Sequence, residues 1–244
     1  MFDFLKPKKH TLIESGILIG ATDVHSHILP TVDDGSPDYV HSLKMLSYLE
    51  QLGYKEIWFT PHTMEDLLQN TDEYLTQRFN EFKQQYKGDL TLHIASEYMM
   101  DGVFLPMVEN HKVLPLGNQK NHLLVETSYI YGPSNLNEIL ETVFNSGLEP
   151  VIAHPERYMY MEWEDFVALK DKGYHFQINL NSFSGYYGQR PMELAEEFLE
   201  NGMADYVGTD IHHLGNYAHS LESIKLKAQQ LDQVAQLLLN NKTL

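Results

Sequence analysis

The pair of histidines in Asp23-Val24-His25-Ser26-His27 constrains this chain more than any other feature. The two residues stand one position apart after an apolar run, where they are a poor choice for packing. In an extended segment they point to the same side, so two neutral imidazoles converge and provide half of a metal site. The alternative is a pair of surface histidines on a loop. Further ligand-type residues elsewhere in the chain would favour the metal site.

One unit recurs along the chain: a helix-patterned segment ends at a glycine, and a short apolar run that follows ends in a polar residue. Glycine just past a helix is the usual left-handed stop. A short apolar run after it is typical of a buried parallel strand. Together with three similar runs, the pattern predicts strands at 19–24, 56–60, 90–95, 122–125, 150–153, 175–179 and 204–208.

Helices are predicted between these strands. Ser36-Pro37 is typical of a helix cap followed by proline at the first helical position, and Asn70 with Glu73 has the spacing of a capping box. The helix after Ser36-Pro37 is predicted to end near residue 52, and a second helix is predicted to begin near residue 70. Further helices are predicted at about 134–146, 161–172, 191–201 and 219–239. Alternating strands and helices imply a parallel sheet, open or closed.

Polar residues follow strand after strand, which favours a closed barrel with its site at the carboxyl ends of the strands. An open doubly wound sheet would place its site at one switch point in the strand order, so it would not need polar residues at the end of every strand.

Composition excludes several classes of protein. The 244 residues are 43% apolar and 11% aromatic, as in a globular protein, and carry a formal charge of −17 that repels nucleic-acid phosphates and anionic membranes. No apolar run reaches the length of a membrane span, and the basic cluster in Met1–Lys9 follows the apolar residues, unlike a signal peptide. We therefore expect no nucleic-acid partner, no membrane span and a cytoplasmic location.

The chain has no cysteine, so any metal ion must be bound by histidine and carboxylate. Glu97 and Glu126 stand where apolar runs end, although a strand-end acid can simply face solvent, and Asp210-Ile211-His212 repeats the spacing of the first histidine pair. Mixed nitrogen and oxygen ligands suit zinc, manganese or iron. The candidate ligands, too many for one ion, are His25, His27, Asp33, His62, Glu97, Glu126, His154, Asp210 and His212.

In this order the motifs resemble those of the polymerase-and-histidinol-phosphatase (PHP) superfamily, which are HxH, Asp or His, His, Glu, Glu or His, His, and DxH. The chain is most similar to the capsule-locus metal-dependent bacterial protein-tyrosine phosphatases, in the strings 23–30, 32–35, 60–62 and 153–158. The resemblance implies an α/β fold, a distorted (β/α)7 TIM-like barrel with its site at the C-terminal ends of the strands. We assign residues 1–18 to an N-terminal lead-in and residues 19–244 to a single domain.

The resemblance also implies two or three divalent metal ions, with manganese expected and iron or zinc as alternatives. By position, the first ion is held by His25, His27, Glu97 and Asp210, the second by Glu97, Glu126 and His154, and the third by Asp33, His62 and His212. It implies hydrolysis of a phosphomonoester by a water molecule that the ions activate. The expected substrate is the phosphotyrosine of a bacterial tyrosine kinase with a tyrosine-rich tail, which controls capsule or exopolysaccharide production.

Arg157 follows His154 by three residues, and the resemblance makes it a catalytic, phosphate-binding arginine. A guanidinium fork suits phosphate, while the alternative is a salt bridge to Glu156 or Glu162. Related phosphatases usually carry a second arginine shortly after the DxH motif, and this chain has none there.

His213 and Arg190 are the candidates to replace the missing arginine. Tyr158 is predicted to contact the substrate, as one of several aromatic residues near strand ends that could instead pack at the rim. These are Tyr98, Tyr129, Tyr131, Tyr158, Tyr160, Tyr186 and Tyr187. The remaining histidines are interpreted as ordinary surface or core residues.

Two other functions stay open from the sequence. A small-molecule phosphatase, such as a histidinol-phosphate phosphatase, should close over its substrate, whereas a protein phosphatase needs an open face. A non-catalytic metal-binding interaction module is expected to have a broken ligand set, and this set looks whole.

Overall fold

The computed structural model describes residues 9–244 as alternating strands and helices. The strands are β1 (Lys9–Thr11), β2 (Thr22–Asp23), β3 (Glu56–Phe59), β4 (His62–Thr63), β5 (Thr91–Ile94), β6 (Glu97–Met99), β7 (His122–Glu126), β8 (Glu149–Ala153), β9 (His175–Asn179), β10 (Tyr206–Gly208) and β11 (Lys225–Lys227). The helices are α1 (Tyr39–Leu52), α2 (Asp72–Gln85), α3 (Phe104–Glu109), α4 (Leu136–Asn145), α5 (Trp163–Asp171), α6 (Gln189–Glu200), α7 (Asn216–Ser223) and α8 (Ala228–Asn241).

Two parallel sheets form the framework. One has the strand order β10-β9-β8-β7-β6-β4, and the other has the order β2-β3-β5. A parallel bridge between Ser26 and Ile211 links the segments that follow β2 and β10, one from each sheet. The backbone N–H of Asp210 donates to the His25 carbonyl at 2.8 Å in the same place. Each of the seven predicted runs overlaps an observed strand, so the predicted α/β class with parallel strands is confirmed.

Strand β7 shows how the fold places polar groups. Leu123 and Val125 belong to the large core beneath the helices, whereas Leu124 belongs to a smaller apolar cluster on the other face of the sheet. Side chains alternate along a strand, so Glu126 continues the face of Leu124 at the carboxyl end and His122 continues it at the amino end. We call this face, which carries the smaller cluster, the inner face.

The amino-terminal part of the chain differs from the predicted lead-in. Strand β1 pairs antiparallel with β11, and both Leu12 and Leu18 are buried in the core. Residues 9–18 are therefore packed against the domain, while the rest of the predicted lead-in lies outside the described residues. The same pairing explains why the predicted helix 219–239 is divided into α7 and α8, since β11 interrupts it.

Two predicted helix caps also differ. Asp38, not Ser36, caps α1 and accepts from the backbone N–H of His41 at 2.9 Å. Thr71 caps α2, and the Asn70 side chain instead donates to two backbone carbonyls, which hold the loop beside the site. Within residues 9–244, no helix is both long and apolar enough to cross a bilayer.

Candidate metal centre

Histidine and carboxylate side chains meet at the carboxyl ends of the parallel strands. Glu126 is the last residue of β7, His154 follows β8 directly, and Asp210 lies two residues beyond β10. In the register of the short parallel pair β4 and β6, His62 stands opposite Glu97. The fold therefore gathers residues that are almost 150 positions apart in the chain, because parallel strands end at the same edge.

The Glu97 carboxylate lies at the middle of this cluster. Its Oε2 atom is 3.2 Å from His25 Nε2, 3.3 Å from His27 Nε2 and 3.1 Å from His62 Nδ1. Its Oε1 atom is 2.9 Å from His154 Nε2. The side chain is fully buried. A carboxylate with four imidazoles around its two oxygens would be a central ligand of any metal ion held by this cluster.

Asp210 divides its two oxygens between the cluster and its support. Oδ1 lies 3.4 Å from the Nε2 atoms of both His25 and His27. Oδ2 accepts hydrogen bonds from Arg157 at 3.0 Å and from the Asn179 side-chain amide at 2.6 Å. The donors on Oδ2 hold the carboxylate so that Oδ1 faces the histidines.

Two of the clustered residues have strained backbones. The φ angle of His154 is 33° and that of Asp210 is 51°, both in the left-handed region although neither is glycine. Such conformations cost about 1–3 kcal/mol each and persist where the surrounding structure enforces them, often at functional sites.

Buried polar atoms in the cluster lack hydrogen-bond partners. Glu97 Oε2, Glu126 Oε1 and His62 Nδ1 are buried without one, although Glu126 Oε1 and His62 Nδ1 lie only 2.9 Å apart. An unpaired buried carboxylate oxygen is costly. A cation among these atoms would remove that cost, and the mixed imidazole and carboxylate donors fit a divalent transition metal.

The outer nitrogens of the first histidine pair are held by acceptors. His25 Nδ1 lies 2.6 Å from Gln177 Oε1, and His27 Nδ1 lies 2.9 Å from Asp33 Oδ2. Each contact favours the tautomer whose Nε2 lone pair faces the cluster, as for metal-bound histidines. Gly208 leaves room for this arrangement, since a Cβ there would lie 2.7 Å from the His25 Cβ.

The adjacent acids Asp33 and Asp34 take different places. Besides His27, the buried Asp33 accepts from the backbone N–H groups of His62 at 3.1 Å and Gly35 at 3.0 Å. Asp34 Oδ1 lies 3.5 Å from the Nε2 atoms of both His62 and His212. The structure therefore favours Asp34 over the predicted Asp33 as a ligand. The oxygens of Asp33 already accept hydrogen bonds from His27 Nδ1 and from two backbone N–H groups.

Electrostatics in the cluster favour positive charge between the carboxylates. Burial opposes ionisation of Glu97 and Asp210, but the nearby histidines outweigh it and hold the pKa of both carboxyls well below the usual range. Burial likewise opposes protonation of His27, but the carboxylates around it raise its pKa well above the ordinary value. Protons and metal ions compete for the same lone pairs. The carboxylates that favour a proton on His27 would therefore also favour a metal cation at this position.

Arg157 stands beside the cluster between two aromatic rings. Its guanidinium carbon is 3.9 Å from the ring centre of Tyr129 and 4.3 Å from that of Tyr187. Its ion pair is with Asp210 and not with the predicted alternatives Glu156 and Glu162. It lines an open cleft of about 320 Å³ together with Asp34, His62, Tyr129, Tyr186, Tyr187, Asp210, His212, His213 and Tyr217.

The remaining predicted substrate residues are distributed unevenly. His213 is exposed and lines the cleft. Arg190 does not line it and donates to the backbone carbonyl of Met161 at 3.0 Å. Tyr158 is fully buried, and its hydroxyl accepts from the backbone N–H of Thr127 at 3.1 Å. Arg190 and Tyr158 therefore do not line this cleft, and their contacts are with the backbone around it.

Sequence reasoning missed Asp34, Gln177 and Asn179. Asp34 could have been suspected because it adjoins Asp33, but only geometry separates the two acids. Gln177 and Asn179 lie on the inner face at the carboxyl end of β9, and their amides are an ordinary polar continuation of an apolar run. Nothing in that pattern distinguishes them from other strand-end amides.

The fold and the cluster define a parallel α/β protein whose strand ends carry candidate metal-binding groups of histidine and carboxylate. The family model for capsular polysaccharide synthesis, CpsB/CapC, matches residues 21–243, so the chain belongs to this family. This confirms the resemblance to capsule-locus phosphatases seen in the sequence.

Two curated relatives are tyrosine-protein phosphatases. The chain is 26% identical over 237 residues to YwqE of Bacillus subtilis (strain 168), an alignment that covers 91% of this chain and 92% of that protein. It is 28% identical over 204 residues to CpsB of Streptococcus pneumoniae, with 79% and 83% covered.

A solved structure shares the fold. It comes from the crystal structures of YwqE from Bacillus subtilis and CpsB from Streptococcus pneumoniae, described as unique metal-dependent tyrosine phosphatases. The TM-score is 0.76 at 24% identity, with 90% of this chain and 94% of that chain covered.

Proposed function

We propose that this chain is a metal-dependent protein-tyrosine phosphatase. The observation that carries the proposal is the position of Arg157, whose guanidinium lies in the open cleft and is paired to Asp210 at the edge of the metal cluster. An anion-binding fork thus stands directly beside a set of metal ligands, an arrangement suited to hydrolysis of a phosphomonoester. The activity of the relatives YwqE and CpsB supports the same conclusion.

The ligand cluster would hold two or three divalent ions, with manganese expected and iron or zinc as alternatives. His25, His27, Glu97 and Asp210 form one group, Glu97, Glu126, His62 and His154 a second, and Asp34, His62 and His212 a third. When bound, the ions lower the pKa of a water molecule and neutralise charge that develops on the phosphoryl oxygens.

The protein side chains would bind and orient the phosphoryl group. The guanidinium of Arg157 is planar and can donate two parallel hydrogen bonds to phosphate oxygens. Its position is determined by Asp210 and by the rings of Tyr129 and Tyr187, so it needs little reorganisation on binding. A tyrosine phenolate leaves with a pKa of about 10 and requires little help from an acid, which His213 at the rim could supply.

The open shape of the cleft supports a protein substrate. The side chain of Asp34 is 75% exposed, and Tyr186, also in the cleft, is 45% exposed. A phosphotyrosine on a flexible segment can reach such a site, whereas a small phosphomonoester is expected to be enclosed. The proposed partner is a bacterial tyrosine kinase with a tyrosine-rich tail, in the cytoplasm, and the family's part in capsular polysaccharide synthesis supports this.

We also propose that the strands form a distorted (β/α)7 barrel. The two parallel sheets contain nine strands, and β3 with β4 and β5 with β6 are each separated by only two residues, so the nine strands correspond to seven barrel positions. The Ser26–Ile211 bridge, between the segments that follow β2 and β10, supports the same description.

The test is steady-state hydrolysis of a phosphotyrosine peptide with added Mn²⁺ and after chelation, for the wild type and for His154→Ala. We expect turnover that depends on Mn²⁺ and falls by about 10³-fold in the variant, since loss of a ligand forfeits several kcal/mol of transition-state stabilisation. His219→Ala, at an exposed position of α7, is the matched control.

Absence of turnover with metal bound would overturn the tyrosine-phosphatase proposal. Turnover of histidinol phosphate in that case would identify a small-molecule phosphatase. Metal binding without hydrolysis of either substrate would identify an interaction module.

A further inference from the structure

A second group of histidine and carboxylate side chains lies at the opposite end of the strands. His122, Glu149 and His175 are the first residues of β7, β8 and β9. His122 is paired with Glu149, and His175 is paired with Val151, two residues further along β8. Because side chains alternate along strands, all three point to the inner face, at its amino-terminal end.

The three side chains place their ligand atoms around one point. Glu149 Oε2 lies 3.3 Å from His122 Nε2 and 3.2 Å from His175 Nε2. In a tetrahedral zinc site, bonds of about 2.0 Å place neighbouring ligand atoms about 3.3 Å apart. The observed spacing is therefore that of two edges of a zinc coordination polyhedron.

The outer nitrogens of both histidines face oxygen atoms. His122 Nδ1 lies 3.0 Å from Asn121 Oδ1, and the Asn121 amide nitrogen donates to Glu149 Oε1 at 3.2 Å, which sets the orientation of the amide. His175 Nδ1 lies 3.6 Å from Asp205 Oδ1. This is the arrangement that holds metal-ligating histidines, since the Nδ1 proton faces the acceptor and the Nε2 lone pair stays available.

We propose that His122, Glu149 and His175 bind one divalent transition-metal ion of the zinc type at a site separate from the catalytic cluster. Two imidazoles and a carboxylate are the donors that zinc accepts, with water in the fourth position. The side chains are partly exposed, with 43% for Glu149 and 14% for His122, so an ion can enter from solvent. The bound ion would connect the beginnings of three neighbouring strands and stabilise the sheet there.

The competing explanation is a hydrogen-bonded network without metal. The Tyr206 hydroxyl lies 3.3 Å from His122 Nε2 and could donate to it. Zinc binding by the wild type and by variants of the site distinguishes a metal site from a hydrogen-bonded network, and this measurement does not depend on phosphatase activity.

The experiment counts zinc per full-length chain by equilibrium dialysis at pH 8, followed by elemental analysis. The wild type, His175→Gln and Glu149→Gln are compared, with His219→Gln as the matched control. We expect each of the two site variants to bind one ion fewer than the wild type, and the control to bind as many as the wild type. Zinc should also raise the melting temperature of the wild type more than that of either site variant.

Equal zinc content in the wild type and both site variants would overturn the proposal and leave the hydrogen-bonded network as the explanation. Glu149→Gln nearly preserves the shape of the side chain at a partly exposed position, so it provides the decisive comparison if His175→Gln fails to fold.

Discussion

The two ends of the same strands carry similar residues in different physical states. At the carboxyl end, Glu97 and Glu126 are buried and each has an oxygen without a hydrogen-bond partner. At the amino end, Glu149 is partly exposed and its oxygens face Asn121 and His175. A buried carboxylate oxygen without a hydrogen-bond partner is costly, so a bound cation would stabilise the carboxyl end more than the amino end, where Glu149 has hydrogen-bond partners and partial access to solvent.

The largest effect that would test this comparison is the loss of Glu97. We expect Glu97→Gln to lower kcat/KM on a phosphotyrosine peptide by about 10³-fold, because the change removes the anionic ligand that four histidines surround. Glu56→Gln, at the first residue of β3 and thus at the amino end, should change kcat/KM less than about twofold, as for most substitutions away from special features. Similar losses in both variants would contradict the division of roles between the two ends.

Replacement of Arg157 should have the next largest effect. Arg157→Ala removes the cationic fork beside Asp210, and we expect kcat/KM to fall by about 10²-fold, the scale of one lost electrostatic contact to the transition state. Arg157→Lys should recover only part of this loss, because the ammonium group cannot donate in the same planar, bidentate way. Full activity of Arg157→Ala, with normal metal content, would show that phosphate is bound elsewhere.

A comparison of Asp33 with Asp34 sharpens the description of the carboxyl end. Asp33→Asn should lower the free energy of unfolding of the metal-free protein by about 1–3 kcal/mol, since it disturbs a buried acceptor of three hydrogen bonds. Asp34→Asn should change that free energy by less than about 0.5 kcal/mol, because its side chain is exposed, yet weaken metal binding by about 10- to 100-fold. Urea unfolding and metal titration of both variants would measure the difference, and the reverse pattern would restore Asp33 as the ligand.

The smallest effect is expected at Asp205, near the amino end. Partial burial opposes its charge, but hydrogen bonds from His175 and Lys170 outweigh burial and lower the pKa of Asp205. A lowered folded-state pKa stabilises the protein above the unfolded value of about 3.9, and this stabilisation is lost as the pH falls through the folded-state pKa.

Asp205→Asn should therefore reduce the free energy of unfolding by about 1 kcal/mol at pH 7, and the difference from the wild type should shrink towards pH 3. Urea unfolding at several pH values would measure it. A difference that grows as the pH falls would show that the charge of Asp205 does not stabilise the fold.

Most of the candidate ligands chosen from the sequence lie close together in the structure, because many of them stand at the ends of apolar runs and parallel strands bring such ends together. The sequence did not distinguish between residues of the same chemical type whose surroundings depend on the fold. Asp33 and Asp34 have different surroundings because of the turn at Gly35. This turn requires glycine, since a Cβ there would collide with the His27 carbonyl. Tyr158 and Tyr129 are both aromatic, but one is buried against the Thr127 backbone and the other lies against Arg157.

The amino-acid sequence by itself determined the approximate strand positions, the parallel α/β class and the histidine and carboxylate chemistry of the strand ends, because these follow from local apolar runs and from residue types at their ends. Only the tertiary structure decided which acid faces the cluster, which tyrosines border the cleft, and that His122, Glu149 and His175 meet at the other end. Those outcomes depend on register, on turn geometry and on contacts between distant segments, such as β1 with β11, that leave no local pattern.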